Sequence, residues 1–325
     1  MTITSITWDR LVVGAWLTAH QGKYYLQYAA PGTEWKSYAD GAYVSDSPTG
    51  PFTYLGNSPV SYKPTGFIGG AGHGCLFTVG DENYWKAATN SISVRHMFER
   101  RLSFYPSGFD QDGYLFTNTY LGDYPMYLPG SKEQAAGRYQ PGWMLLSYKK
   151  PVAVSSSLAD YPAEQAVDED SRTAWVAASN SADEWLQVDL QKVSSIQAIQ
   201  VNFDEYGANQ RGYVPGVYQS YLISASANGQ DWYTVVDYST KQTDTPHDYI
   251  EFEAPFKARY IKLQNAAYTV SSNLSIRDLR IFGNGRAADP DKDFHYGQAL
   301  SFYKVAFLQE STMLDADQKS RLAIL

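Results

Sequence analysis

Cysteine is nearly absent from the 325-residue chain: Cys75 stands alone, so no disulfide can form within it, and the redox compartment stays open. In "GHGCLFTV" that single thiol reads as a small buried hydrophobe rather than a nucleophile. Charge is scarce at 18% of residues, and positive charge is the scarcer sign, with 26 Lys and Arg against 34 Asp and Glu, net −8. That balance argues against nucleic acid or an anionic membrane surface as a partner. No apolar run reaches about 18 residues, so no membrane span is expected. The N-terminal "MTITSITWDR" has no basic stretch followed by an apolar core, so no signal peptide is expected either.

Tyrosine is abundant, at 27 residues against 14 Phe and 8 Trp. An apolar ring with a polar tip suits half-wet strand surfaces and sugar-facing surfaces alike. Short runs rich in Tyr, Val and Phe ("KYYLQYA", "GAYVSD", "GCLFTV", "NYWKAA", "GYLFTN") alternate with turn signals such as "SPTGPF", "GDEN" and "DQDG". Evenly spaced short strands predict a propeller, barrel or sandwich. The stretch "LPGSKEQAAGRYQPGW" breaks the rhythm and marks a boundary, with residues 1–130 before a linker at 131–146. Strand patterns resume in "EWLQVDL", "SIQAIQVNF", "SYLISAS", "WYTVV", "YIEFE", "ARYIKLQ" and "LRIFG", with an Asn-Gly hairpin turn in "SANGQDW". About eight strands over 147–285 predict a two-sheet jelly-roll β-sandwich. In the remaining 286–325, Ala299, Phe302, Tyr303, Ala306 and Phe307 recur at helical spacing and predict a short amphipathic C-terminal helix. The fold class expected is therefore all-β, with that one helix at the end.

The motifs "AVDEDSRTAWVA", "EWLQVDL", "AIQVNF", "YLISASANGQDWYTVV", "ARYIKLQ" and "LRIFGNG", in this order, resemble the discoidin domain, or F5/8 type C domain. Many members in carbohydrate-degrading proteins bind carbohydrate. The resemblance implies a structural Ca²⁺ in the "AVDEDSRTAW" loop, held by the Asp168 side chain and the Ala166 and Thr173 carbonyls, with Asp278 closing the site before the last strand. A crowded set of oxygens suits a hard cation that takes 6–8 of them. A solvated acidic loop is the other reading. Trp175, Trp185 and Trp232 match core positions and are read as packing. Sugar contacts are expected from variable loops, at Tyr161, Arg211, Tyr213 and Tyr268.

The first half, through "GKYYLQYAAPGTEWKSYADGAYVSDSPTGPF", "GAGHGCLF" and "VRHMFERRLSFYPSGFDQDGYLF", resembles the C-terminal part of the five-bladed propeller of glycoside hydrolase family 43. That family acts largely on β-xylosides and α-L-arabinofuranosides, and its resemblance implies a periplasmic or extracellular location. Members commonly read Glu-Gly-Pro-Trp where this chain has "VVGAW", so aligning on Trp16 puts Val13 at the general-acid position. Inverting hydrolysis needs that acid and a second carboxylate acting as base. The family's base lies on earlier blades, and residues 1–130 supply about two blades. An open blade pair leaves a sheet face and an edge uncovered, which points to self-association or a partner chain through the open propeller edge. His73 matches an axial His and Arg101 an Arg that reaches the sugar; a core His and a structural ion pair are the plainer readings. Asp110, Asp112 and Asp123 sit in turn-like contexts and are read as structural.

The expected function is carbohydrate recognition by a protein related to, or truncated from, a family 43-like hydrolase, not catalytic by itself. Two alternatives stay open: an active glycoside hydrolase completed by blades on another chain, and an adhesion module that binds protein or lipid through the discoidin domain.

Overall fold

The computed structural model describes residues 13–33, 35–81, 83–92, 100–207 and 214–284. The helix expected in 286–325, Arg211 and Tyr213 lie outside them. The chain is almost all antiparallel strand. In the first sheet β1 (Val13–His20), β2 (Lys23–Ala30), β3 (Ala39–Ser45) and β4 (Thr53–Tyr54) follow in chain order, and β5 (Ser61–Tyr62) pairs with β3. The second sheet runs β6 (Gly69–Thr78), β7 (Tyr84–Ser91), β8 (Arg100–Phe109) and β9 (Leu115–Thr117). In both, strands that follow in sequence pair antiparallel with one another. The β1–β2 turn puts Gln21 and Gly22 at φ 45° and 80°, the left-handed pair that matches strand twist in a two-residue hairpin.

In β2 the pleat turns Tyr25, Gln27 and Ala29 inward and leaves Leu26 and Tyr28 half-buried on the other side. The core between the meanders is small: Tyr25, Ala42, Leu55, Val60, Leu76 and Leu115. Polar bonds supplement it. Lys86 is fully buried, its ammonium on Asp40 and 2.5 Å from Gln27 Oε1. Asp40 also accepts the backbone N–H groups of His73 (2.7 Å) and Gly74 (3.0 Å). On the far face of the first sheet Leu17 and Tyr54 are 43% and 51% exposed, and Tyr43 lies 5.5–5.6 Å from Tyr28 and Tyr54.

The stretch read as a linker is held in place. Its short helix α1 (Lys132–Ala135) is capped by Ser131, whose Oγ accepts from Gln134 N at 3.2 Å. Tyr139 packs on the buried Trp85, and β10 (Met144–Leu145) already pairs with the last strand. The second part comprises β10, β11 (Val152–Val154), β12 (Trp175–Val176), β13 (Trp185–Phe203), β14 (Gln219–Ser226), β15 (Tyr233–Tyr238), β16 (His247–Tyr268) and β17 (Ser275–Asn284). They form one eight-stranded sheet ordered β10-β17-β13-β16-β14-β15, with β11 on β13 and β12 on β17. Bulges at Asp189/Ser194 and Ile196/Ala198 interrupt the long β13–β16 ladder, and the sheet wraps one core that includes Trp175, Leu186, Val188, Ile199, Ile223, Ile261, Leu263, Leu279 and Ile281. The two layers expected of a jelly roll thus share strands long enough to serve both.

Strand β17 joins the halves. The Arg277 guanidinium sits on Asp204 and donates to Ile92 O at 2.7 Å. Arg280, fully buried, holds Glu169 through two bonds (2.7 and 3.0 Å) and donates to Asp123 O (2.6 Å) and Gln200 Oε1 (3.0 Å). Asp123 in turn takes Lys63 at 2.9 Å and the Phe67 N–H at 2.8 Å.

Candidate functional site

Connections at one end of the sandwich are tied to one another. Asn180 Nδ2 donates to Tyr268 O at 2.5 Å, and Asn265 Nδ2 donates to Ser181 O at 2.9 Å. Asn273 Nδ2 donates to Ala177 O at 2.8 Å, and Tyr218 N donates to Thr269 Oγ1 at 2.6 Å. Glu184 gathers the hydroxyls of Ser155, Ser156 and Ser179 at 2.5–2.7 Å and the Ser179 N–H at 3.1 Å. Burial raises its pKa, but these donors outweigh burial and hold the carboxyl below its ordinary value. On this frame Tyr161 and Tyr206, both half-buried, meet edge to face with centroids 4.8 Å apart. Tyr206 was not among the residues singled out from sequence; its place after a strand ending in Asn-Phe-Asp was the available signal.

Tyr268 is not at this surface. It is 4% exposed, its ring stacks on Phe203, and its hydroxyl donates to Asp204 O at 2.8 Å. As the last residue of β16 it turns inward and floors the loops, and burial raises its phenol pKa. Trp175 is core, as expected, but Trp185 and Trp232 are half-exposed. They flank the Lys262 ammonium at 5.1 and 4.3 Å on the outward side of the sheet. Trp185 faces out because its neighbours Leu186 and Val188 hold the inward register.

The acidic loop brings Asp168 and Thr173 together: the threonine hydroxyl donates to both carboxylate oxygens at 2.8–3.0 Å, and Asp170 N donates to one at 2.9 Å. Ala166 is buried in the 3₁₀ turn before them. Asp278 is buried and accepts the Glu169 N–H at 2.8 Å, with Glu169 in the left-handed region at φ 62°. Burial, then the Glu169 charge, pushes the Asp278 pKa well up; burial also raises those of Asp168 and Glu169. Lys63 and Arg280 face the acidic side chains of Asp123, Glu169 and Asp278 here. The donors are all oxygen, the set a hard cation takes. No three His, Cys, Asp or Glu side chains are grouped for a metal among the described residues.

In the first half a cavity of about 230 Å³ opens beside Gly14, Trp16, His73, Cys75, Thr89 and Leu102. Cys75, read as a buried hydrophobe, is half-exposed there. A Cβ on Gly14 would come within 2.4 Å of the His73 ring, so only glycine lets β1 approach there. Val13 starts β1 opposite Ala29, and among the described residues no Asp or Glu lines the cavity. His73 is exposed; Arg101 is exposed on β8, one residue before Leu102 and so on the other face. Asp110 makes a turn by accepting the Asp112 and Tyr114 N–H groups at 3.0 and 2.8 Å. Sequence reasoning missed the ionic pieces: Asp40–Lys86, and Arg277 and Arg280, charged residues in a strand buried on both faces.

Among the described residues no helix is long and apolar enough to cross a membrane. Lactadherin from Rattus norvegicus is 34% identical over 96 residues, 28% of this chain and 21% of that protein. Lactadherin from Bos taurus is 29% identical over 103 residues, 29% and 23% respectively. The chain thus spans about a fifth of the length of these curated relatives. A solved glycoside hydrolase aligns over 85% of this chain and 61% of its own at 21% identity and a TM-score of 0.44. The family 32 carbohydrate-binding module of C. perfringens NanJ, solved with galactose, covers 43% of this chain and 97% of its own at 21% identity and a TM-score of 0.36. The family model for the F5/8 type C domain matches residues 151–278, and that part of the chain is such a domain.

Proposed function

We propose that the protein binds carbohydrate outside the cytoplasm, with an oligo- or polysaccharide seated at the loop end of the sandwich beside Tyr161 and Tyr206. The observation that carries this reading is an aromatic pair at the loop end, with Tyr161 on the connection whose Ser155 and Ser156 bond Glu184 and Tyr206 N donating to Ser275 Oγ at 3.3 Å. A ring held in place can stack on a sugar without losing much side-chain freedom, and nearby polar groups fix the hydroxyls. Titration calorimetry with xylo-, arabino- and galacto-oligosaccharides tests it. Binding that weakens at least about tenfold in Tyr161→Ala, a loss of about 1.4 kcal/mol, is expected; no heat at millimolar sugar with a folded protein overturns it. A glycan array separates this reading from adhesion to protein or lipid.

The acidic loop is assigned a structural Ca²⁺, held by Asp168 and Asp278 with the carbonyls of Ala166 and Thr173. Binding to the folded state alone raises the melting temperature; identical unfolding curves with Ca²⁺ and with chelator would remove the assignment.

The meander pair is read as two blades related to family 43 glycoside hydrolases. With Val13 at the acid position and no Asp or Glu lining the adjoining cavity among the described residues, it is expected not to hydrolyse xylosides or arabinofuranosides alone. Val13→Glu restores one group, worth about 10²–10⁴-fold at most when its partners are present, and is expected to release no nitrophenol from nitrophenyl glycosides. One observation favours the second reading, a hydrolase completed by another chain: the uncovered face with Leu17, Tyr28, Tyr43 and Tyr54. Co-purification from the native source with a propeller-forming partner would establish it.

A further inference from the structure

We propose that the outward face of the sandwich is a second binding surface, one that takes a polysaccharide carrying carboxylates at intervals, with Lys262 as the anion contact and Trp185 and Trp232 as the sugar-ring contacts on either side of it. This surface shares no residue with the loop end at Tyr161 and Tyr206. The ammonium of Lys262 lies 5.1 Å from the Trp185 ring and 4.3 Å from the Trp232 ring. Both tryptophans stay half-exposed with the lysine in place, so each still offers apolar area. Trp232 is held there by its Nε1–H, which donates to Gly229 O at 3.2 Å in the hairpin turn. Ring contacts of this kind fix an ammonium without neutralising it, and among the described residues no carboxylate pairs with Lys262. Asp189 is taken by Arg259 through two bonds (2.7 and 2.8 Å), and Asp231, next to Trp232, accepts from Asn228 Nδ2 at 2.8 Å.

Around the lysine the face is polar. In the strand register Lys262 stands beside Gln187 of β13 and Ser224 of β14, and Ser224 stands beside Thr234 of β15. All four point away from the core, and the side chains of Gln187, Ser224 and Thr234 bond to no other group among the described residues. Four strands at ordinary spacing span about 14 Å, wide enough for more than one ring of a sugar chain. Amide and hydroxyl groups fix sugar hydroxyls, the indoles take the apolar face of a ring, and the ammonium takes a carboxylate. One exposed ion pair is worth little, so a single acidic sugar would bind feebly. A polymer returns a carboxylate to Lys262 each time one leaves. The net charge of −8 disfavours a densely charged chain, so carboxylates spaced along a neutral backbone fit best.

Affinity electrophoresis of the full chain measures this, with retardation taken relative to a polymer-free gel. One gel holds glucuronoxylan and another the same polymer with its carboxyl groups reduced to alcohols. The unmodified chain is expected to bind the acidic polymer at least about fivefold more tightly, within what one partly exposed pair supplies. Lys262→Gln should remove that preference, and Lys262→Arg, which keeps the charge, should retain it. Trp232→Ala should weaken binding to both polymers at least about tenfold. Both positions are partly exposed, and unchanged circular dichroism shows that the variants fold. Tyr161→Ala should leave the preference for the acidic polymer intact. Equal binding of the two polymers by the unmodified chain, a preference that survives Lys262→Gln, or one that is lost in Tyr161→Ala overturns the second surface. Absence of binding to both polymers also overturns it, while calorimetry with galacto-oligosaccharides then decides the loop end by itself.

Discussion

The sandwich and the meander pair reach order by different routes. The sandwich closes one sheet around a long run of fully buried aliphatic and aromatic side chains, with Trp175, Ile223 and Leu263 at its centre. The meander pair has a handful of such residues and relies on a buried ammonium–carboxylate pair, backbone bonds to Asp40, and support from Arg277 and Arg280 of the other half. Apolar burial is non-directional and tolerant of small shifts; a buried ion pair is costly to desolvate and holds only when every bond is made. The first half is therefore the more brittle one, fixed by a few contacts.

The sharpest break should come at Asp40. Asp40→Ala strands the Lys86 ammonium and two N–H groups in a dry site, and is expected to cost about 3–5 kcal/mol in denaturant unfolding of the first half. Asp40→Leu combined with Lys86→Leu should recover much of that loss; a cost below 1 kcal/mol for the single change would mean that the pair is not structural. Next comes Leu263→Ala in the sandwich core, expected at about 2–5 kcal/mol with a graded dependence on how far neighbours close the cavity. If it abolishes folding while Asp40→Ala is mild, the contrast is reversed.

The smallest effect concerns pH. The folded pKa of Glu184 lies below its unfolded value, so its stabilisation is present above the unfolded pKa and is lost as pH falls through the folded one. Glu184→Gln should lower stability at neutral pH by about 1 kcal/mol and flatten the acid limb of the stability curve. An unchanged acid limb would show that the serine hydroxyls bond the neutral acid equally well.

Much of this was legible in residue order. Tyr25, Gln27 and Ala29 against Leu26 and Tyr28 gave β2 its two faces, and the turn at Asn228 and Gly229 joined β14 to β15. Periodicity tells which way a side chain points relative to its neighbours, but not what arrives from elsewhere. Tyr268 looked like a loop residue because it ends a strand, yet the strand's register turned it under Phe203. Trp185 and Trp232 were read as core because they match discoidin core positions, and they stand instead on either side of the Lys262 ammonium. Arg277 and Arg280 carried no local signal of their partners, since Ile92 and Asp123 are 185 and 157 residues away in sequence.

The two arginines of β17 also bear on how portable the sandwich is. A binding module moved to another protein brings its loops with it, but this one would bring two guanidiniums that need acceptors on the surface of a neighbour. Grafted onto an indifferent host, it would keep Arg277 on Asp204 and Arg280 on Glu169 but leave the bonds to Ile92 O and Asp123 O unmade. A working chimera would carry Phe67, Tyr124 and Asp123 along, or replace both arginines by residues suited to an open surface.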